Sequence, residues 1–235
     1  MTASTIRVFT WNIHGAIGPD RRYDLERVIA LVRLHKPDII ALQEVDSRGR
    51  NGNSPFQRLV ATLGTHSAEA RTITAPDGEY GHMLISRWPM AQPILHDLSM
   101  DRREPRLAIE TTIETPLGRL HTIAAHFGLG FSERRRQTSI LNAIRCPSDA
   151  PLSMMLGDFN DWHWRGPVRR ILAGSLPSHT GHMTFPAWAP LLKLDRIYCG
   201  GEAQVRRSWT DRGARRASDH LPVIAEIGRG SASEL

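Results

Sequence analysis

Six short polar clusters along the chain contain the residue types used in metal-assisted and acid–base chemistry. Each cluster ends or directly follows an apolar run. In chain order they are Asn12 with His14, Gln43 with Glu44, His126, Asp158 with Asn160, Asp195, and Ser218-Asp219-His220. Any one of them alone has a structural explanation, such as a turn cap or a hydrogen-bonded core histidine. Six together predict a catalytic site, because such groups characteristically lie on loops held by a rigid scaffold.

The oxygen-bearing members of these clusters suit a hard divalent cation, Mg²⁺ or Mn²⁺. Such an ion often takes only one or two carboxylates from the protein and keeps water and substrate phosphate in its other positions. We expect Glu44 to supply the main carboxylate. Asn12 can add an amide oxygen or bind a metal-bound water.

The remaining members match the other requirements of phosphoryl transfer, a positioned water and donors to the phosphoryl oxygens. Asp158 can orient or deprotonate the water, and Asp195 can hold a catalytic imidazole in the required tautomer. The candidate donors to phosphoryl oxygens are His126, Asn160 and His220.

Two further residues are candidates for substrate binding. Arg106 ends the basic run 102–106 and can reach phosphate, although a solvated turn is the alternative. Trp162, followed by His163 and Trp164, can stack on a base or enter a lipid interface. Packing beneath the site is the alternative for these aromatic residues.

Short runs rich in β-branched residues predict the strands that position these clusters. They cover residues 6–13, 38–45, 82–86, 106–113, 119–126, 153–156, 194–198 and 221–227. Apolar spacing predicts helices over 24–35, 132–146 and 168–173, the second capped by Ser132 with Ile140, Leu141 and Ile144 directed inward. Strands that are partly adjacent and partly separated by helices predict an α/β sandwich of mixed sheets.

Composition is that of an ordinary globular protein with a basic surface. The 235 residues are 40% hydrophobic and carry a formal net charge of +6. A basic surface attracts anionic partners such as nucleic acid, anionic lipid or phosphorylated metabolites. The sequence contains no candidate membrane span, no recognisable signal peptide and only two cysteines, so we expect an intracellular, cytoplasmic monomer.

Six motifs, in this order, resemble those of the endonuclease/exonuclease/phosphatase superfamily. They are Thr10-Trp11-Asn12-Ile13-His14-Gly15, Leu42-Gln43-Glu44-Val45, Tyr80-Gly81-His82-Met83-Leu84-Ile85-Ser86-Arg87, Gly157-Asp158-Phe159-Asn160, Leu194-Asp195-Arg196-Ile197 and Ser218-Asp219-His220-Leu221-Pro222-Val223. The superfamily includes abasic-site endonucleases, DNase I, neutral sphingomyelinases and inositol polyphosphate 5-phosphatases. The resemblance covers residues 6–227 and implies one domain spanning 1–235, folded as a four-layer α/β sandwich with two mixed sheets face to face and helices outside.

The resemblance also implies roles for individual residues. Glu44 corresponds to the main metal ligand and Asn12 to its companion, while Asp219 corresponds to a second carboxylate on the metal or leaving-group side. Asp158 corresponds to the water-activating carboxylate, with Asn160 as its hydrogen-bonding partner. The positions of Asp195 and His220 match the carboxylate–histidine pair, and His126 matches a phosphate-contacting position.

One departure from the family pattern bears on the substrate. Abasic-site endonucleases usually carry Asp where this chain has His14, and Tyr where it has His126. We therefore expect His14 to contact substrate, and expect a phospholipid head group or small phosphate ester in place of duplex DNA. A protein of this kind can also bind the membrane peripherally. The alternatives are a DNA endonuclease or exonuclease, which the basic charge favours, and a catalytically silent binding module.

Overall fold

The computed structural model describes residues 5–50, 54–144, 146–163 and 165–230. Within these ranges the strands are β1 (Thr5–Asn12), β2 (Ile39–Asp46), β3 (His66–Ala75), β4 (Gly78–Ser86), β5 (Ile94–Asp97), β6 (Leu107–Thr115), β7 (Gly118–His126), β8 (Leu152–Asp158), β9 (Ser178–His179), β10 (Asp195–Gly201), β11 (Ala203–Trp209) and β12 (Val223–Arg229). The helices are α1 (Leu25–His35), α2 (Pro55–Leu63), α3 (Phe131–Ala143) and α4 (Pro167–Leu172). None of the helices so described has the length and apolar character needed to cross a membrane.

The strands form two mixed six-stranded sheets. The first has the order β11-β12-β1-β2-β4-β3 and the second the order β5-β6-β7-β8-β10-β9. One parallel pair lies at the centre of each sheet, β1 with β2 and β7 with β8, and the other neighbours are antiparallel. The predicted four-layer sandwich of two face-to-face sheets with helices outside is confirmed.

Three apolar clusters hold the layers together. Successive side chains of a strand point to opposite faces, so Val8 packs between the two sheets whereas Phe9 and Trp11 pack toward α1. A third cluster, which includes Phe159 and Leu172, lies between the second sheet and helices α3 and α4. The central strands are therefore buried on both faces, which accounts for their continuous apolar runs.

All eight predicted strands are present, but four strands and one helix were not predicted. The missed strands are β3, β5, β9 and β11, and the missed helix is α2. These four are the edge strands, two in each sheet. Edge strands expose much of their surface, so they lack the apolar pattern that identifies a central strand.

Helix α3 differs from its prediction at both ends. It begins at Phe131 after the cap residue Gly130, and the Glu133 carboxylate accepts a hydrogen bond from the Gly130 amide at 3.2 Å, so Ser132 is not the cap. It ends at Ala143, before the predicted end at residue 146. Leu141 is its one buried apolar side chain, because the face toward the second sheet is filled mainly by polar groups: Glu133, Arg134, Gln137 and Thr138.

Candidate active site

Backbone pairing in the second sheet places three of the predicted site residues in one row. Strand β8 lies between β7 and β10, and the register sets His126 and Asp195 on either side of Asp158. Side chains in register on neighbouring strands point to the same face of a sheet. All three residues are buried, at the ends where β7 and β8 finish and β10 begins.

The first sheet contributes Asn12 and Glu44 from its parallel pair. Asn12 ends β1 and stands opposite Gln43 of β2. The pairing of β2 with β4 then shifts between Leu42 and Val45, and Glu44 takes a left-handed backbone conformation with φ of 57°. A bulge of this kind re-aims a side chain, and non-glycine residues at positive φ are concentrated at functional sites.

Asn12 joins the carboxylates of the two sheets. Its amide nitrogen donates to Glu44 Oε1 at 2.8 Å and to Asp158 Oδ2 at 3.0 Å. Its amide oxygen accepts from the His14 backbone at 3.1 Å. The amide thus holds Glu44 and Asp158 in place through its nitrogen.

Asp158 lies at the centre of the cluster. Its Oδ1 accepts a hydrogen bond from the Asn160 amide at 2.9 Å. Burial, reinforced by the nearby Asp195 carboxylate, raises the pKa of Asp158 to about 6. A carboxylate with a pKa close to neutrality is suited to take a proton from water, because it is ionised at neutral pH yet still basic.

His220 and Asp195 form the predicted carboxylate–histidine pair. The His220 Nδ1 atom lies 2.8 Å from Asp195 Oδ2, and His220 Nε2 lies 3.9 Å from Asp158 Oδ2. The Phe185 ring packs 4.9 Å from the imidazole. Burial alone would lower the pKa of His220, but the Asp195 and Asp158 carboxylates raise it to about 10. The imidazole is therefore a cation at neutral pH in the metal-free protein.

His126 and the Arg106 guanidinium form a second group of donors, on the β7 side of Asp158. His126 Nε2 lies 3.7 Å from Asp158 and 3.8 Å from Glu44, while its Nδ1 lies 3.4 Å from an Arg106 guanidinium nitrogen. Burial, together with Arg106, holds the pKa of His126 well below its usual value, so the imidazole is neutral. Arg106 is itself buried and bonds Glu104 at 2.6 Å, which rules out the solvated-turn alternative.

His14 and Asp219 lie at the open side of the cluster. His14 Nδ1 lies 3.5 Å from Glu44 Oε2 and 3.6 Å from Asp219 Oδ1. The bond to Glu44 raises the pKa of His14 despite partial burial. Burial would raise the pKa of Glu44, yet His14 and His126 bring it down to about 2, so this carboxylate is ionised.

Two further predicted site residues, Asn160 and Trp162, make their side-chain contacts outside the central cluster. The Asn160 side chain donates to the Phe127 carbonyl at 2.8 Å, so its amide supports the loop that follows β8 instead of facing the cluster. Trp162 is 54% exposed and contacts His163 and the Arg134 guanidinium. Trp164 lies outside the described residues.

Four residues that support the site were not identified from the sequence. Ser218 Oγ donates to the Asn12 carbonyl at 2.7 Å and accepts from the His220 amide at 3.0 Å, which fixes the last motif against β1. Tyr80 is buried beside Glu44 and Arg106, and burial raises the pKa of its phenol. Glu104 and Phe185 complete the set. Ser218 and Tyr80 lie within the six motifs, and Glu104 lies within the run 102–106 that contains Arg106.

Several of these groups have the chemistry of metal ligands. Ligand atoms of Asp158, Asp195 and His220 all lie within 4.8 Å of one another and could hold a metal ion. However, the 2.8 Å contact between His220 and Asp195 is a hydrogen bond that uses one atom of each. The Glu44 and Asp219 side chains are more exposed than these three. The Asp219 Oδ1 atom is itself buried and has no hydrogen-bond partner in the described part of the chain.

Comparison with known proteins gives the same family as the sequence motifs. The family model described as "Endonuclease/Exonuclease/phosphatase family" matches residues 9–220. The chain is 31% identical over 245 aligned residues to the uncharacterized protein YbhP of Escherichia coli K12, covering 95% of this chain and 96% of YbhP.

Solved structures of the same family share the fold. An endonuclease/exonuclease/phosphatase from Beutenbergia cavernae superposes with a TM-score of 0.78 at 20% identity, covering 97% of this chain and 72% of that one. The human Nocturnin catalytic domain superposes with a TM-score of 0.70 at 17% identity, covering 96% and 94% of the two chains. Members of the family are generally hydrolases that act on phosphate esters. The chain belongs to the endonuclease/exonuclease/phosphatase family.

Proposed function

We propose that the protein is a divalent-metal-dependent phosphoesterase that hydrolyses a phosphate ester with an activated water. The observation that carries this proposal is the bridge made by Asn12, which holds the ionised Glu44 carboxylate and the buried Asp158 carboxylate on the two donors of one amide. The pKa of Glu44 is about 2 and that of Asp158 is about 6. Neighbouring carboxylates whose pKa values are pushed apart characteristically divide the roles of permanent charge and proton acceptor.

The residues fit a hard divalent cation, Mg²⁺ or Mn²⁺. Glu44 would hold it, joined by Asp219, whose buried Oδ1 atom makes no hydrogen bond to the described residues. Ionised carboxylate oxygens are the ligands such ions prefer. When bound, the ion supplies charge neutralisation at the phosphate.

Asp158 is the proposed acceptor of the proton that leaves the attacking water. Its two oxygens are fixed by Asn12 and by the Asn160 backbone, so the carboxylate cannot rotate away from the water it orients. The water oxygen forms a bond to phosphorus as its proton passes to Asp158, and the ester P–O bond breaks. The departing alkoxide takes up a proton from solvent and leaves as the alcohol, and Asp158 returns its proton to solvent. General-base assistance of this kind contributes ~10²–10⁴-fold to a rate.

The cationic His220 and the Arg106–His126 group are the proposed donors to the phosphoryl oxygens. Asp195 holds the charged imidazole of His220, and its oxygen at 2.8 Å fixes the orientation of the ring. Arg106 lies behind His126 on the other side of Asp158. Fixed donors on both sides of a reacting phosphoryl group stabilise the charge that develops there.

For the substrate, we propose a phospholipid head group or a related small phosphate ester. His14 contacts Glu44 and Asp219 where abasic-site endonucleases usually have Asp, and His126 takes the place of their Tyr. The nuclease alternative has the net charge of +6 in its favour, since phosphate neutralisation supplies most non-specific affinity for DNA. Charge does not by itself align a scissile bond with water.

A comparison of kcat/KM on phospholipid micelles, p-nitrophenyl phosphate, plain DNA and abasic duplex DNA tests this substrate class. Each rate is measured with Mg²⁺ and with Mn²⁺. We expect little cleavage of abasic DNA and greater activity on the lipid. A preference for DNA of about a hundredfold, equivalent to roughly 2.7 kcal/mol of transition-state discrimination, would establish the nuclease alternative.

A further inference from the structure

Exposed apolar side chains are concentrated around the mouth of the candidate site. Of the ten large hydrophobic residues exposed in the described part of the chain, six lie in segments that directly follow His126 or Asp158 or precede Asp195. These six, here called the apolar rim, are Leu129, Phe131, Trp162, Met183, Trp188 and Leu191. Soluble proteins rarely place so much apolar surface in one region unless it contacts a partner.

One side of the apolar rim combines apolar groups with arginines. The Arg134 guanidinium lies over the Trp162 ring and donates to the Leu129 carbonyl, which links the segment after β7 with the segment after β8. Beside them, Phe131 lines a cavity of about 390 Å³ together with Arg135 and Arg170, both exposed. The mixture of apolar and cationic groups continues from the loop onto α3 and α4.

The part of the apolar rim around Trp188 repeats this combination and shares a cavity with two residues of the candidate site. The segment carrying Trp188 is fixed by the Ala187 amide, which donates to the Asp219 carbonyl at 2.6 Å. Trp188, Arg215 and Arg216 line a cavity of about 450 Å³ that His14 and Asp219 also line. A largely apolar wall therefore runs from the exposed Trp188 ring, 79% accessible, to the candidate catalytic groups.

We propose that this face docks on an anionic lipid membrane, with the apolar rim entering the interface and the arginines pairing with lipid phosphates. This inference rests on the proposed function and names the lipid surface on which the enzyme would act. Trp and Phe with basic residues suit a membrane interface, and each basic residue near an anionic surface adds to the attraction. Leu129 at 73% and Leu191 at 70% exposure favour lipid over nucleic acid, because aliphatic side chains cannot stack on bases.

This docking would bring the substrate to the site without removing it fully from the bilayer. The cavity beside Trp188 is lined both by this exposed ring and by His14 and Asp219 of the candidate site. A phospholipid could place its phosphate at the candidate site while its apolar part follows the Trp188 wall. The same residues that contact the membrane would therefore favour a lipid-linked phosphate over a free one.

Vesicle sedimentation tests the docking surface without requiring turnover. The protein is mixed with phosphatidylcholine vesicles with and without phosphatidylglycerol. We expect binding to the anionic vesicles, a loss of more than about tenfold for the double variant Leu129→Asp/Leu191→Asp, and a loss of about fivefold for Arg135→Ala on anionic vesicles only. The matched control is Leu34→Asp, which changes an equally exposed leucine, 68% accessible, at the C-terminal end of α1.

Two controls separate this inference from the proposed function. The surface variants should keep wild-type thermal unfolding and wild-type hydrolysis of bis-p-nitrophenyl phosphate, and the Asp158→Asn protein should bind vesicles like the wild type. Hydrolysis without vesicle binding would overturn the docking surface alone, and vesicle binding without hydrolysis would overturn the phosphoesterase alone. The docking surface would also be overturned if Leu34→Asp and the double variant bound vesicles equally. It would likewise be overturned if the protein bound no vesicles and the double variant lost binding to DNA.

Discussion

Replacing Asp158 by Asn should make the metal-free protein more stable at neutral pH while removing most of its activity. Asp158 is 1% exposed, and its pKa rises from 3.8 to about 6 because burial and Asp195 disfavour the ionised form. An acid with a raised folded-state pKa destabilises the fold once it is ionised. The wild type should therefore lose stability as the pH rises from 3.8 through about 6 and then level off.

The structure sets the size of this effect. A rise in pKa from 3.8 to about 6 corresponds to about 3 kcal/mol of lost stability above the upper value. The substituted amide would present a donor to the Asn12 amide, so the hydrogen bond at 3.0 Å is lost, at a cost of about 1 kcal/mol. We expect the Asn variant to be about 2 kcal/mol more stable than the wild type at neutral pH, and no more stable below pH 3.8.

Urea unfolding in EDTA, followed across this pH range, measures the difference. Asp77→Asn, which makes the same exchange on the exposed turn between β3 and β4, is the matched control and should follow the wild type. Two results would refute the conclusion that ionised Asp158 destabilises the fold. One is an Asp158→Asn protein less stable than the wild type at neutral pH, and the other is a wild type whose stability does not fall between pH 3.8 and about 6.

Three other substitutions test the remaining groups of the site. Glu44→Gln should raise the Mg²⁺ concentration needed for half-maximal activity, whereas Asp46→Asn, which removes the partner of Arg48, should leave it unchanged. In the metal-free wild type, the cationic His220 contributes stability that is fully present below pH 6.5 and is lost as the pH rises through about 10. His220→Gln should lack this contribution when unfolding in urea is followed across the same pH range. Equal pH profiles for the two proteins would contradict the His220–Asp195 ion pair. Arg106→Lys should lower kcat/KM on bis-p-nitrophenyl phosphate by about tenfold, the value of a hydrogen bond to a charged group, and an unchanged value would remove Arg106 from phosphate binding.

The sequence was sufficient to predict the central strands and the end of the sheets where the site lies. Strands such as β8, LSMMLGD, are buried on both faces and therefore are mostly apolar up to a polar residue at their end, here Asp158. The edge strands lack this signal, since β11 exposes much of AQVRRSW to solvent and β3 mixes Glu, Arg and Thr along its length. Their pairing depends on neighbours that are distant in sequence.

The orientation of the site residues could not be predicted, because contacts between the two sheets determine it. The bulge that gives Glu44 a φ of 57° depends on the register between β2 and β4. Arg106 lies in a run of charged residues typical of a solvated turn, yet Glu104 and His126 enclose it. The Asn160 side-chain amide donates to the Phe127 carbonyl, which lies on the loop that follows β7.

Hydrolysis of bis-p-nitrophenyl phosphate by the wild type and by Asp158→Asn, each assayed with Mn²⁺ and then with EDTA, tests the central claim most directly. We expect turnover by the wild type that disappears with the chelator and returns when the ion is restored. We also expect a rate lower by ~10²–10⁴-fold for Asp158→Asn at saturating metal. Full wild-type activity in excess EDTA, or an Asp158→Asn rate within a few-fold of the wild type, would contradict metal-dependent hydrolysis with Asp158 as the base.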